Sequence, residues 1–406
     1  MRFIRTILLL APILAHPAFA AEPPQNPVGI DFSYAGFQGG GHPLPEVAAK
    51  ISVTPTGNDD TALLQSAIDH IATLPLGSDG FRGAILLRPG KFLVQGQLHL
   101  NASGVILRGS GANTAIVAQG IGRRTLIEIG GEHDPVISTP INLADHTVEA
   151  GDRKLPVTNT EGFTVGAHIV IRRPGTAEWI KAHGMSGLLG TFADQRVDWK
   201  PGSHDLVWDR TITAVDATTN SIEIDAPITF RIEKSTGGAT IAIVNSNPPL
   251  QNIGIENLTL ESAYDTTNPK DEEHSWIAIA LNHVEDAWVR NIIARHFVSS
   301  AVRAGQRARR ITIQDCRSES PVSEEAGYRR QSFLIYGQQV LVYRCHSELG
   351  MNDFATGLLA AGPNVFLDCD ATKSLEPSGA FEGLAAGVLY ERVHVPDSRI
   401  QLRGYR

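Results

Sequence analysis

The sequence predicts an all-β protein: a right-handed, single-stranded parallel β-helix with an N-terminal capping helix and a small inserted antiparallel β domain. Three observations predict it. A strand-like motif recurs with a period in the twenties through the C-terminal half. One amphipathic helix stands near the start, followed by short strand-turn units. The composition, with 39 glycines and 6% aromatic residues, suits many short strands joined by turns.

The repeat emerges after residue 250. Ile255-Glu256-Asn257-Leu258 aligns with Val289-Arg290-Asn291-Ile292, Ile313-Gln314-Asp315-Cys316, Val342-Tyr343-Arg344-Cys345, Phe366-Leu367-Asp368-Cys369 and Tyr390-Glu391-Arg392-Val393. The last positions are 34, 24, 29, 24 and 24 residues apart. One motif per period marks a solenoid, whose coils bury their apolar faces only by stacking about 4.8 Å apart. Cys316, Cys345 and Cys369 share the column that holds Leu258, Ile292 and Val393. They are therefore expected as an inward stack of buried thiols, since in-line neighbours have poor disulfide geometry.

Near the start, Leu63, Leu64, Ala67, Ile68 and Ile71 form a helical stripe after Asp59-Asp60-Thr61. Strand-like Ala84–Leu87 and Gly104–Gly109 follow. The run from Gly57-Asn58-Asp59-Asp60-Thr61 through Ile85-Leu86-Leu87-Arg88-Pro89-Gly90 to Val105-Ile106-Leu107-Arg108-Gly109-Ser110-Gly111 resembles the start of pectate-lyase-superfamily proteins. That resemblance implies a parallel β-helix whose N-terminal end is covered by the helix. It is nearly silent on the reaction.

Residues 141–245 read differently. Short alternating segments such as Ala167–Ile171, Thr211–Val215 and Ser221–Asp225 surround Trp179, Trp199 and Trp208. They predict an inserted antiparallel β domain, with the tryptophans either filling its core or lining a glycan site. The chain thus divides into an export signal at 1–20, a cap and first coils at 21–140, the insert at 141–245, and the main coils at 246–406. The coils stop at Arg406, half a turn past the last repeat, so either the sequence is a fragment or that end is expected to be covered by a partner or by the inserted domain.

The export signal has Arg2 and Arg5, an apolar run to Ala15, and Ala18-Phe19-Ala20 before the cleavage point. Its apolar run is too short to span a bilayer, so a soluble periplasmic or extracellular protein is expected. The net charge of −8 carries no long run of either sign. This argues against nucleic acid or an anionic membrane surface as partner.

Two long repeat spacings mark loop insertions, Tyr264–His274 and Ser318–Arg330. Aligning the apolar residue after each places His274, Gln331, Asn352 and Glu382 in one column, with Ser275, Ser332, Asp353 and Gly383 in the next. Such a polar strip on a solenoid wall suits an extended sugar chain. Asp353 and Glu382 are the candidate carboxyl pair for hydrolysis, with His274 assisting. Arg329, Arg330, Tyr328, Gln331 and Asn352 are candidate substrate-binding residues. Asp271, Glu272 and Glu273 are candidate ligands for a cation such as Ca²⁺. Each has a plainer role as a solvated loop or turn residue.

The stretches Asp271–Ile279, Asn352–Gly357 and Gly362–Cys369 resemble a group of bacterial right-handed β-helix repeat proteins from polysaccharide-utilising species. In that group the next coil carries a His-His-Arg-Trp run. Here the stretch is Ser378-Gly379-Ala380-Phe381-Glu382-Gly383, which lacks it. The resemblance implies a carbohydrate-active protein, and the departure implies altered or lost activity. Three functions remain: hydrolysis of an acidic polysaccharide, β-elimination from a uronate, and non-catalytic glycan binding.

Overall fold

The computed structural model describes residues 29–131, 135–143, 146–187, 198–246 and 248–402. The export signal lies outside the described residues. Among the described residues, no helix is long and apolar enough to cross a membrane.

Three parallel sheets run along the molecule. The first contains Ala49–Val53, Gly83–Leu87, Val105–Arg108, the first halves of Leu250–Ser262 and Val284–Arg295, Ala308–Gln314, Gln338–Tyr343, Asn364–Leu367 and Val388–Glu391. The second begins with Gly90–Val94 and Thr114–Ala118 and ends with Arg317–Glu319, His346–Glu348 and Asp370–Thr372. The third stacks Leu98–Leu100, Thr125–Ile129, Ile277–Leu281, Ser300–Ala304, Phe333–Ile335, Phe354–Thr356, Ser378–Ala380 and Ile400–Gln401.

The repeat motif is the corner between the first two sheets. Its third residue takes a left-handed conformation in all six repeats: Asn257, Asn291, Asp315, Arg344, Asp368 and Arg392 have φ of 60°, 53°, 54°, 50°, 53° and 50°. Asn and Asp tolerate this region best, and neighbours along the corner help the others. Asn291 donates to Asn257 at 2.8 Å, and Arg344 donates twice to Asp315, both at 2.7 Å. The fourth residue then points inward. Cys316, Cys345 and Cys369 are buried free thiols in one continuous core with Leu258 and Ile292.

The helix Thr61–Thr73 buries Leu64, Ala67, Ile68 and Ile71 against the first coils, while Leu63 lies partly exposed outside that face. On the outer face of the first sheet, Phe37 packs edge-on to Trp288, with ring centroids 5.4 Å apart. Beneath them Glu256, wholly buried, accepts bonds from Trp288 Nε1 at 2.9 Å and Arg290 Nε at 2.6 Å, and pairs with Arg108. Each donor offsets the cost of burying that charge.

Between the second and third coils, six strands from Ile141–Asn142 to Thr240–Ile243 form an antiparallel sheet. Trp179, Trp199 and Trp208 are all buried, so they fill the core of this segment and line no glycan site. The sheet lies against the turns that follow the third-sheet strands. Ala361 and Ala386 of the helix share its apolar core. Arg210, fully buried, donates to the carbonyls of Asp209, Ala226, Pro227 and Gly362 and to Gln338 Oε1. Arg309 bonds Glu285 at 2.6 Å, Thr211 at 2.6 Å and Asp225 at 3.1 Å. These bonds fix the inserted sheet beside the coils.

Candidate functional site

The strand register breaks up the polar column expected from sequence. Phe333 pairs with Phe354, which sets Gln331 beside Asn352, and Ala355 pairs with Gly379. Asn352 and Asp353 therefore lie level with Glu376 and Pro377, not with Glu382 and Gly383. The coil Ser300–Ala304 also intervenes between His274 and Gln331. Turn lengths cause the error. The small residues Ser378–Ala380 form the strand, and the more apolar Phe381–Gly387 stretch is the turn after it.

Asp353 and Glu382 consequently sit at opposite ends of the third sheet. Five residues of extended chain at about 3.3 Å each separate their levels by roughly 16 Å, beyond the spacing a glycosidase pair requires. Asp353 is fully buried, accepts from Ser347 at 2.5 Å, and has its carboxyl pushed above the ordinary value by burial. Glu382 is exposed. His274 is buried beneath the loop, with Nδ1 2.8 Å from Ser262 Oγ and Nε2 3.2 Å from the Asp271 carbonyl; burial lowers its pKa.

The other candidates are held by the protein itself. Arg330 is buried and donates to Ser323 Oγ at 3.0 Å and to the Ser323 carbonyl at 2.8 Å. Asn352 donates to the Pro377 carbonyl at 2.5 Å, and Gln331 donates to the Tyr328 carbonyl. Tyr328 is partly exposed at a left-handed turn. Arg329 pairs with Glu272 at 3.1 Å, and Arg329 and Arg123 each lie against the Trp276 ring. Glu273 pairs with Arg123 at 2.7 Å, and Asp271 accepts the backbone N–H groups of Asp265 and Glu273, both at 3.0 Å. These carboxylates are occupied by protein donors. Among the described residues no three His, Cys, Asp or Glu side chains are grouped to hold a metal ion. The acidic run is thus bonded within its own loop and to Arg123 and Arg329.

A different place gathers polar groups from several elements. Where the inserted sheet meets the third-sheet turns, a cleft of about 410 Å³ is lined by Arg172, His204, Asp205, Asp209, Arg307 and Tyr336, with Leu358 and Leu359 as its apolar wall. Strand Leu206–Asp216 delivers Asp209, and the turn before it delivers His204 and Asp205. Asp205 accepts from Arg172 and from the Gly175 N–H, each at 3.0 Å. The His204 ring stacks on Trp199 at 4.1 Å, and partial burial lowers its pKa. The coils deliver the rest. Tyr336 follows strand Phe333–Ile335 and donates its hydroxyl to Glu382 Oε2 at 2.9 Å. Arg303 lies over its ring at 5.1 Å. Burial first, then Glu382, raises the Tyr336 pKa, and Arg303 opposes this only in part. Tyr336 is thus a persistent proton donor.

The fold is a right-handed parallel β-helix. The tailspike protein gp49 of Pseudomonas phage LKA1 is similar over 82% of this chain, at 15% identity and a TM-score of 0.52, and the chain spans 49% of that protein. A putative glycosyl hydrolase from Parabacteroides merdae matches over 85% of this chain and 98% of its own, at 10% identity and a TM-score of 0.37. A galactohydrolase of a sulfated galactose–anhydrogalactose chain matches over 86% of this chain and 57% of its own, at 11% identity and a TM-score of 0.41. No protein-family model and no curated protein matches the sequence. Identities this low speak to fold alone.

Of the residues named from sequence, Glu382 is the one joined to this cleft, through its bond from the lining residue Tyr336. Arg303, Arg307, Tyr336, Asp205 and Asp209 were missed. For Arg303 a signal existed: a lone cation at an outward position of the apolar strand Ser300-Ala301-Val302-Arg303-Ala304. For Asp209, which the insert brings in from far along the chain, none did.

Proposed function

We propose that this protein is an exported enzyme that hydrolyses glycosidic bonds of a polysaccharide lying in the cleft between the inserted sheet and the third-sheet turns. The observation that carries this reading is the Tyr336–Glu382 hydrogen bond at the edge of a cleft with carboxylates on its opposite wall. Glu382 is the carboxyl that transfers the proton, oriented by the Tyr336 hydroxyl. Asp209, which lines the cleft together with Asp205, supports the developing positive charge on the sugar ring. Leu358 and Leu359 offer an apolar surface for a sugar face.

Elimination from a uronate is the competing chemistry, because Arg303 beside Tyr336 supplies a cation next to a hydroxyl. The raised Tyr336 pKa weighs against it: a base must lose its proton, and burial and Glu382 both oppose that loss.

The test is incubation with a panel of neutral and acidic polysaccharides. New reducing ends without ultraviolet absorbance from an unsaturated sugar support hydrolysis. That absorbance would establish elimination, and binding without cleavage of any polymer would make the protein a glycan binder.

A further inference from the structure

Arg303 is the penultimate residue of the third-sheet strand Ser300–Ala304, and Arg307 lies in the turn after it. Arg307 lines the cleft, and Arg303 meets it through the ring of the lining residue Tyr336. Both side chains are half-buried. Among the described residues Arg303 has no hydrogen bond and no ion pair, only the Tyr336 ring at 5.1 Å. Arg307 has one partner, Asp209, at 3.8 Å, too far for a hydrogen bond. The Nε atoms of both are buried without a partner.

The neighbouring arginines are used up. Arg309 is bonded to Glu285, Asp225 and Thr211. Arg210 spends its donors on four carbonyls and Gln338, all neutral acceptors, so it contributes positive charge without direct carboxylate contact. Burial pushes its pKa down to about 10, against the opposing pull of Asp225 and Asp209. Beside the cleft, and sharing Asp209 and Arg307 with it, is a smaller pocket of about 100 Å³ that Arg210, Arg309, His168 and Ser246 also line. Ser246 Oγ is buried there without a partner. One water needs about 10–15 Å³ of such space, so a group of several atoms fits.

Half-buried guanidinium donors with nothing to bond cost stability unless an acceptor arrives. We propose that Arg303 and Arg307 form an oxyanion site that seats a carboxylate or sulfate ester carried by a sugar in the cleft. Guanidinium groups match both planar carboxylate and sulfate oxygens with paired N–H bonds. Asp209 steadies Arg307 from a distance without occupying its donors. The inference rests on the cleft being a glycan site, but not on the chemistry assigned to Glu382.

Calorimetric binding to the full chain, with length-matched neutral, uronate-bearing and sulfated oligosaccharides, tests it. One anionic set is expected to bind at least about tenfold more tightly than the neutral set, and more weakly as salt rises. Whether it is the uronate or the sulfate set identifies the source of the oxyanion. Arg303→Gln and Arg307→Gln should each lower that affinity about tenfold, with thermal midpoints no lower than the parent's. If a glutamine variant fails to fold, the lysine variant, which keeps charge but loses the fork, should show a smaller loss. Equal binding of neutral and anionic sugars, no binding of either anionic set, or full anionic affinity in the folded variants would overturn the site. Glu382→Gln separates the two proposals. It should bind anionic sugars like the parent while losing turnover, so a parent that binds them but never cleaves them refutes hydrolysis and keeps the oxyanion site.

Discussion

The Tyr336 hydroxyl donates to Glu382 Oε2 at 2.9 Å, across 46 residues of chain. One residue closes a strand of the third sheet, and the other sits in a turn two coils further on. Their meeting is a product of coil stacking.

Glu382→Gln is expected to lower turnover at least about 100-fold, the usual contribution of a positioned proton-transfer group, without changing the thermal midpoint. Tyr336→Phe should cost less, about tenfold, by freeing the carboxyl to move. Because Tyr336 holds its proton above the ordinary range, parent activity should show no rise between about pH 8 and 10. A rate that climbs there would reassign Tyr336 as a base.

Asp353 should behave as a structural acid. Burial pushes its carboxyl above the ordinary 3.8, so the folded state prefers the protonated form. Its stabilising contribution is fully present below the ordinary value and is lost as pH rises through the folded value. Asp353→Asn, neutral and of the same shape, should flatten the fall in thermal midpoint across that window and leave turnover intact. Midpoints measured from acid to neutral pH check this. A large loss of turnover in a folded variant would restore Asp353 to the site.

Arg210 joins the inserted sheet to the coils through Gly362 and Gln338. Arg210→Met removes five donors from buried acceptors and should destabilise the chain by about 3–5 kcal/mol. Amide exchange in strands Leu206–Asp216 and His168–Arg173 should quicken. Turnover should fall with it, although Glu382 is untouched, because one wall of the cleft loosens. Unaltered exchange would mean that the apolar contacts of Ala361 and Ala386 suffice.

The cysteine column should be chemically silent. Cys316, Cys345 and Cys369 are free and buried; burial raises the Cys345 pKa, while the hydrogen bond with Cys345 lowers that of Cys369, so the silence rests on burial away from reagent. A thiol reagent should find no reactive cysteine in the native chain and three after unfolding. Cys345→Ala should cost about 1 kcal/mol, read from urea unfolding. Rapid native labelling would place a cysteine outside the core.

Much of the solenoid is written along the chain because its rules are local. Each repeat needs an inward apolar residue and, before it, a corner residue able to turn left-handed, so Asn257-Leu258 and Asp315-Cys316 announce themselves. The capping stripe Leu64, Ala67, Ile68 and Ile71 is equally local. The third sheet hid its register because Ser378–Ala380 is small and weakly apolar, whereas the turn after it is not. Aligning apolar residues there selected the turn and drew Glu382 into a false column with Asn352.

The sequence by itself determined that the chain coils, where its corners fall, and which residues stack inward, since each follows from side-chain pattern within one repeat. Only the tertiary structure decided the candidate site. Asp209 meets Arg307, and Tyr336 meets Glu382, because stacked coils and a docked sheet bring distant segments to one edge. That docking depends on summed buried contacts across the interface, and no single stretch of sequence carries them.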